Sequence, residues 1–286
     1  MKKVVVVVGP TASGKTKQSI ALAKVIDGEI INGDSVQVYK ELNIGSAKIK
    51  KDEMAGIKHH LFDVVSVGTD YSAFNFQKDA RKLIAKIDIP IIVGGTGFYI
   101  KSALYNYEFN KYEENDSNFN EFSNEELLSE IKKYDPLIKI DENNRRRLIS
   151  AYKQAKSGKL RSEKQGKNDP LYDIYIVYLD VDRKVLKKLL IKRLDLMLEE
   201  GLIEEVKMLR DKGVSLNIIG YREIDKYLNN DYSLNEAKDE IIKASMRLAK
   251  RQKTWFKNQM NVNLYDALDA STTEKIIKDV KLFLNN

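Results

Sequence analysis

Residues 4–16, VVVVVGPTASGKT, decide the reading of this chain. Five consecutive valines are too few to span a bilayer and suit a strand buried on both faces of a parallel sheet. They run into Gly9-Pro10-Thr11-Ala12-Ser13-Gly14-Lys15-Thr16, the G-x-x-x-x-G-K-[ST] spacing of a phosphate-binding loop, with a helix expected over residues 16–25. Gly9 and Gly14 let the backbone wrap closely around an anion. The N–H groups of Thr11, Ala12 and Ser13, beyond Pro10, and the helix N-terminus face it, Lys15 adds a point charge, and the Thr16 hydroxyl is a candidate Mg²⁺ ligand. Any diphosphate fits such a loop, so the motif fixes a phosphate site and leaves the reaction open.

Composition bounds the rest. With 286 residues, 43% of them hydrophobic, and only four prolines, the chain can build one sizeable core and a smaller satellite, and it is not disordered. It holds no run of about 18 apolar residues, and Met1-Lys2-Lys3 leads straight into the valine strand rather than into a signal peptide. The expectation is a cytoplasmic protein without a membrane partner. The absence of cysteine excludes disulfides, thiolate zinc sites and a cysteine nucleophile, leaving oxygen chemistry. A net charge of +7, from 49 basic and 42 acidic side chains, fits either a lysine-rich solvated surface or a polyanionic partner.

Beyond the first helix, a short strand at residues 28–32 opens into Gly33-Asp34-Ser35-Val36-Gln37. In an open α/β sheet the loops past the carboxyl ends of the strands line the ligand crevice, so Asp34, Ser35 and Gln37 are expected to face the phosphate site. An aspartate there can serve as a general base or help hold Mg²⁺; Ser35 and Gln37 offer donors and acceptors suited to a base edge. His59 and His60 adjoin an expected strand at residues 61–65. Neighbouring residues of a strand face opposite ways, so joint metal ligation is not expected and a structural role is. Ser72 is placed to cap a helix running to about residue 86. A buried strand at 90–93 then ends in Gly94-Gly95-Thr96-Gly97, bringing more N–H groups and the Thr96 hydroxyl to the same crevice.

From residue 106 to about 168 the character changes. Helical patterns at 125–134 and 141–157 imply an inserted helical unit, with Arg145-Arg146-Arg147 on its second helix. The sheet resumes at 172–179, whose partial alternation implies a half-exposed strand, and a long amphipathic helix follows over 185–198, ending near Gly201. In the helix over 235–258, Lys243, Arg247, Lys250 and Arg251 share one face, which is either solvated or a phosphate-binding stripe. The tail over 272–286 reads as a closing helix. The domain expectation is a core of residues 1–107 and 169–286 around an insertion of 108–168.

Taken in order, GPTASGKT (9–16), DSVQVYK (34–40), IGSAK (44–48), HHLFD (59–63), YSAFNF (71–76), GGTGFY (94–99), KRLDLMLEEGLIEEV (192–206), IGYRE (219–223) and RLAKRQKTWF (247–256) resemble the tRNA dimethylallyltransferase family over most of the chain. The resemblance implies an α/β, P-loop NTPase-like parallel sheet flanked by helices, with a small inserted helical domain. It implies transfer of the dimethylallyl group of dimethylallyl diphosphate to N6 of the adenine 3′ of the anticodon, in tRNAs reading codons that begin with U. On that reading Asp34 accepts the amine proton. The loop, Lys15, Thr16 with Mg²⁺, and Arg247 or Arg251 hold the diphosphate, and Thr96 lies near the breaking C–O bond. Asp34, Ser35, Val36, Gln37 and Thr96 meet the flipped base or its neighbour, and Arg146 and Arg147 contact the tRNA backbone at the anticodon stem-loop. The pattern departs from the family at Ile49, where a proline is usual, at residues 141–144 in place of a DPND-like turn, and at Ser150, where an arginine is common. A monomer with Mg²⁺ as its metal and no obligate protein partner is expected.

Other classes stand beside this one. A prenyltransferase acting on free adenine nucleotides would label AMP, a P-loop kinase or NTPase would fill the loop with ATP and turn it over, and an RNA-binding module with a relict loop would tolerate Asp34→Ala.

Overall fold

The computed structural model describes residues 1–109, 119–158, 160–163, 168–214 and 217–286. The valine run forms β1 (Lys3–Val8), and α1 (Lys15–Ile26) follows the glycine loop. The chain continues through β2 (Glu29–Asn32), β3 (His59–His60), α2 (Ala73–Lys86), β4 (Pro90–Gly94) and α3 (Gly97–Leu104). Two helices, α4 (Asn124–Tyr134) and α5 (Arg145–Lys156), precede β5 (Asp173–Asp180). Then come α6 (Arg183–Glu199), α7 (Leu202–Asp211), α8 (Tyr221–Leu228), α9 (Leu234–Gln259), β6 (Asn263–Asp266) and α10 (Thr272–Asn285). None of these helices is long and apolar enough to cross a membrane.

The strands form one sheet in the order β3-β2-β4-β1-β5-β6, and every pairing is parallel. β1 lies between β4 and β5, with Val5 opposite both Ile91 and Tyr175. That central position is why the strand is apolar without alternation. Val5 and Val7 pack with Leu22 and Ile26 of α1 and Ile276 and Val280 of α10, each buried valine contributing roughly 1.5–3 kcal/mol. On the opposite face Tyr178 of β5 meets Phe256 of α9, ring centroids 6.0 Å apart. A further apolar cluster joins α6, α7, α8 and α9 around Leu190, Leu202, Ile224 and Ile241. The start of α2 is set by Ser72 and Asn75, which cap one another's backbone N–H groups.

Two sequence expectations need correction, and one strand was not foreseen. Residues 61–65 are not a strand: Leu61 and Asp63 have φ of 61° and 54°, which turns the chain out of the extended region, and only Val65 makes a single bridge, to Tyr39. β5 does not alternate: Ile176, Val177, Tyr178 and Leu179 are all buried, with α10 against Val177 and Leu179 and α9 against Tyr178, while Asp173, Ile174 and Tyr175 at its start are exposed or partly so. β6 itself is a four-residue edge strand, NLYD, mostly exposed, with no hydrophobic pattern to announce it.

The chain divides into two compact units, residues 1–104 with 170–286, and residues 105–169. In the second, Leu127, Leu128 and Ile131 of α4 pack on Leu148 and Ala151 of α5. α5 begins at Arg145 because Asn144 accepts the Arg147 N–H at 3.2 Å. Part of the Asn- and Glu-rich stretch over 110–124 lies outside the described residues.

Candidate functional site

Loops at the carboxyl ends of β1, β2 and β4 converge, and two glycines allow it. A Cβ on Gly94 would lie 2.2 Å from the backbone carbon of Gly33. The loops therefore touch through backbone: Gly33 N–H donates to Val93 O at 2.7 Å and Thr96 N–H to Gly33 O at 3.2 Å. The Thr96 hydroxyl accepts Ser35 N–H at 3.0 Å and donates to Ser35 Oγ at 3.1 Å. Asp34 is held from both sides. Its N–H donates to Oδ1 of the buried Asn32 at 2.9 Å, and its own Oδ1 accepts Val36 N–H at 2.9 Å. The Asn32 amide donates in turn to Asp34 O and Leu61 O. With Oδ1 occupied by the turn, Oδ2 is the oxygen left for chemistry.

The phosphate loop adopts the conformation its glycines permit. Gly14 is left-handed, φ 82°, and caps α1, while Ala12 sits at φ 66°, a strained position of the kind found in ligand cradles. Lys15 Nζ donates to Gly9 O at 3.0 Å and Pro10 O at 2.8 Å, so its ammonium is folded onto the loop. Desolvation, opposed by the Asp34 carboxylate and reinforced by the Arg193 guanidinium, pushes its pKa down to about 8.

These groups line a cavity of about 450 Å³. Its lining is mixed, with the polar and charged Thr11, Lys15, Thr16, Asp34 and Arg193 and the apolar Ile20, Ile30, Phe62 and Val93. Gln37 also lines it. Hard oxygen donors are few: among the described residues no group of three His, Asp or Glu side chains could cage a metal. The Thr16 hydroxyl fits Mg²⁺ only in the manner of phosphate enzymes, where the substrate and water supply most of the oxygens.

Arg193 was not among the expected site residues, yet sequence carried a signal for it. Leu186, Leu190 and Leu194 define the buried stripe of α6, and Arg193 falls within that stripe, three residues beyond Leu190 and one before Leu194. A cation on an inward face needs an anion. Burial holds its guanidinium below the usual arginine range, with Asp34 as the largest opposing charge. By contrast, Arg247 and Arg251 do not line the cavity. The Arg247 side chain is 63% exposed, with Glu240 4.0 Å away, and Arg251 is exposed on the same helix.

The remaining expected residues fall as follows. Ser35 and Thr96 sit beside Asp34, bonded to each other rather than lining the cavity. Val36 is partly buried against the helical cluster around Leu42, so its side chain packs. His59 lines the cavity with its Nδ1 on Ile57 O at 2.8 Å and its pKa lowered by burial, while His60 Nε2 meets Glu29 at 2.7 Å. Each thus has its own structural partner. In the second unit Arg145 is structural, donating to Asn124 Oδ1 and Phe119 O, whereas Arg146 and Arg147 are exposed. Ser150 accepts from Arg161 at 3.0 Å, so a guanidinium reaches that position from elsewhere in the unit.

Comparison with known proteins gives the family. The family model described as IPP transferase matches residues 37–259. A tRNA dimethylallyltransferase of Acholeplasma laidlawii is 57% identical over 285 residues, covering 99% of each chain. The crystal structure of a full-length tRNA isopentenylpyrophosphate transferase from Bacillus halodurans matches 100% of this chain and 97% of its own, with TM-score 0.77 and 36% identity. A eukaryotic dimethylallyltransferase solved acting on tRNA matches with TM-score 0.89 and 28% identity, over 100% of this chain and 80% of that one. A phosphate loop facing an aspartate across a part-apolar cavity, together with matches along the whole length, places this chain in the IPP transferase family, among the tRNA dimethylallyltransferases.

Proposed function

We propose that this protein transfers the dimethylallyl group of dimethylallyl diphosphate to N6 of the adenine 3′ of the anticodon in tRNA, releasing diphosphate. The observation that carries the reading is the single cavity holding Lys15, Arg193 and Asp34 beside the apolar side chains Ile20, Ile30, Phe62 and Val93. A charged head and a five-carbon tail match that mixed lining.

In the reaction the N6 lone pair attacks the methylene carbon, the C–O bond to diphosphate breaks, and the amine proton passes to Asp34 Oδ2. An adenine amine is a weak nucleophile because its lone pair is delocalised into the ring, so proton acceptance assists the attack. Lys15, Arg193 and the loop N–H groups stabilise the charge that develops on the leaving diphosphate. Thr16 would hold Mg²⁺, which when bound supplies further charge neutralisation to the diphosphate oxygens. Thr96 is the candidate donor to the bridging oxygen. In that role its proton, now given to Ser35 Oγ, is exchanged onto substrate. The exposed Arg146 and Arg147 support an acceptor with a phosphate backbone rather than a free nucleotide.

The test is transfer of labelled dimethylallyl, with Mg²⁺, to an unmodified tRNA carrying adenine 3′ of its anticodon, beside the same tRNA with guanine there and beside AMP. Label on the adenine tRNA alone is expected. Label on AMP would make it a nucleotide prenyltransferase, and no label would return the loop to a nucleotide. Asp34→Asn, which keeps an Oδ1 acceptor for Val36 N–H, is expected to slow transfer by about 10²–10⁴.

A further inference from the structure

Gln37 faces the cavity, but its amide nitrogen is not free for a ligand. Nε2 donates to Ser46 O at 2.9 Å and to Ala47 O at 3.3 Å. An amide whose N–H groups lie on two carbonyls is fixed against turning over, since a flip would set oxygen against oxygen. What it offers is Oε1, which accepts no hydrogen bond from the described residues.

Those two carbonyls belong to a turn tied by Ser46 Oγ to Leu42 O at 2.6 Å and by Lys48 Nζ to Asn43 Oδ1 at 2.9 Å, and whose three leading N–H groups all go to one carboxylate. Glu205, buried on α7, accepts Asn43 N–H at 3.1 Å and Ile44 N–H at 2.9 Å on Oε2. Its Oε1 accepts Gly45 N–H at 3.0 Å and the Tyr221 hydroxyl at 2.6 Å. All of its roughly four acceptor sites are used. The Tyr221 ring lies so close that a Cβ on Gly45 would be 2.5 Å from it, so ring and carboxylate together pack against the turn. Glu205 touches neither the cavity nor any residue of the proposed chemistry.

We propose that Glu205 is a specificity-positioning residue. By fixing the turn over residues 43–47 it locks the Gln37 amide with its oxygen toward the acceptor RNA, so the base read there must present an amino N–H. Adenine presents its N6 amine at the edge where guanine presents the O6 carbonyl. A locked acceptor repels O6, whereas an amide free to turn accommodates either base. This rests on the tRNA reading above. The base concerned is the adenine immediately 5′ of the target, the one that pairs with the first U of the codon.

The experiment measures steady-state transfer to anticodon stem-loops with adenine or guanine at that 5′ position. The parent is expected to prefer adenine by on the order of ten- to a hundredfold in kcat/KM. Glu205→Gln keeps the size of the side chain but turns an amide NH₂ toward backbone N–H groups. It is expected to reduce the preference at least threefold, raising KM for the adenine RNA more than it lowers kcat. Tyr221→Phe, which removes one of the four hydrogen bonds, is expected to act in the same direction and less strongly. In a Gln37→Ala background, Glu205→Gln is expected to cause no further change in preference, because Glu205 works through that amide.

An unchanged preference in a Glu205→Gln protein that melts as cooperatively as the parent overturns the proposal, as does an equal loss in the Gln37→Ala background. Should Glu205→Gln not fold, an unchanged preference in Tyr221→Phe overturns it. Absence of transfer by the parent to either RNA overturns the prenyl-transfer reading itself, and with it this one.

Discussion

The Thr96 hydroxyl both accepts the Ser35 backbone N–H and donates to the Ser35 hydroxyl, at 3.0 and 3.1 Å, joining loops 61 residues apart in the chain. The same residue therefore holds the turn that presents Asp34, which lines the phosphate cavity. Thr96→Val keeps the shape and deletes both bonds, leaving Ser35 N–H unpaired. At roughly 0.5–1.5 kcal/mol per bond, thermal unfolding is expected to fall by several degrees, and single-turnover transfer is expected to slow at least ~10-fold, beyond the change in stability. Thr96→Ser is expected to recover most of both.

Arg193 and the α9 arginines are separable by binding. Arg193→Gln is expected to weaken diphosphate binding by about 10- to 100-fold, the size of a lost hydrogen bond to a charged group. Arg247→Ala and Arg251→Ala are expected to leave it within about twofold, their side chains lying outside the cavity wall. Calorimetric titration with diphosphate distinguishes the two. Loss of binding in Arg247→Ala or Arg251→Ala instead would return the phosphate role to α9.

Lys15 gives the free protein a pH signature. Its pKa is lowered from 10.5 to about 8, so between those values the native chain carries fewer protons than the unfolded one. This group's contribution to stability therefore rises with pH across that window. Anion binding runs the other way, because the charged ammonium is lost above about 8. Diphosphate affinity, measured by titration between pH 6.5 and 9, is expected to fall above pH 8 by up to about tenfold per unit. Lys15→Met is expected to remove that component.

Arg146→Ala with Arg147→Ala is expected to weaken tRNA binding and to lower the slope of log affinity against log salt by about 2, one unit per phosphate contact. Binding isotherms at several salt concentrations read this directly. Arg145→Ala is expected to act differently, lowering stability, since its guanidinium already serves Asn124 and Phe119.

The phosphate loop, the parallel sheet, the inserted helices and the Asp34–Gln37 and Gly94–Gly97 turns were all legible in the amino-acid sequence. Their signals are local. A glycine at a left-handed φ, an unbroken valine strand and a serine cap each act within a few residues, and a sheet of βα units places its loops at one end whatever else follows. What tertiary structure alone decided is which distant side chains complete the site. Arg193 reaches Lys15 and Asp34 only because α6 turns its apolar stripe inward, and Glu205 organises the turn over residues 43–47 only because α7 and α8 pack there. The basic face of α9 looked equally suited in sequence, but periodicity gives a residue's face on its helix and not where that helix points. That direction comes from long-range packing, with Phe256 against Tyr178 and Ile241 in the helical core. β6 was hidden for the same reason: four mostly exposed residues become a strand only because β5 offers them an edge.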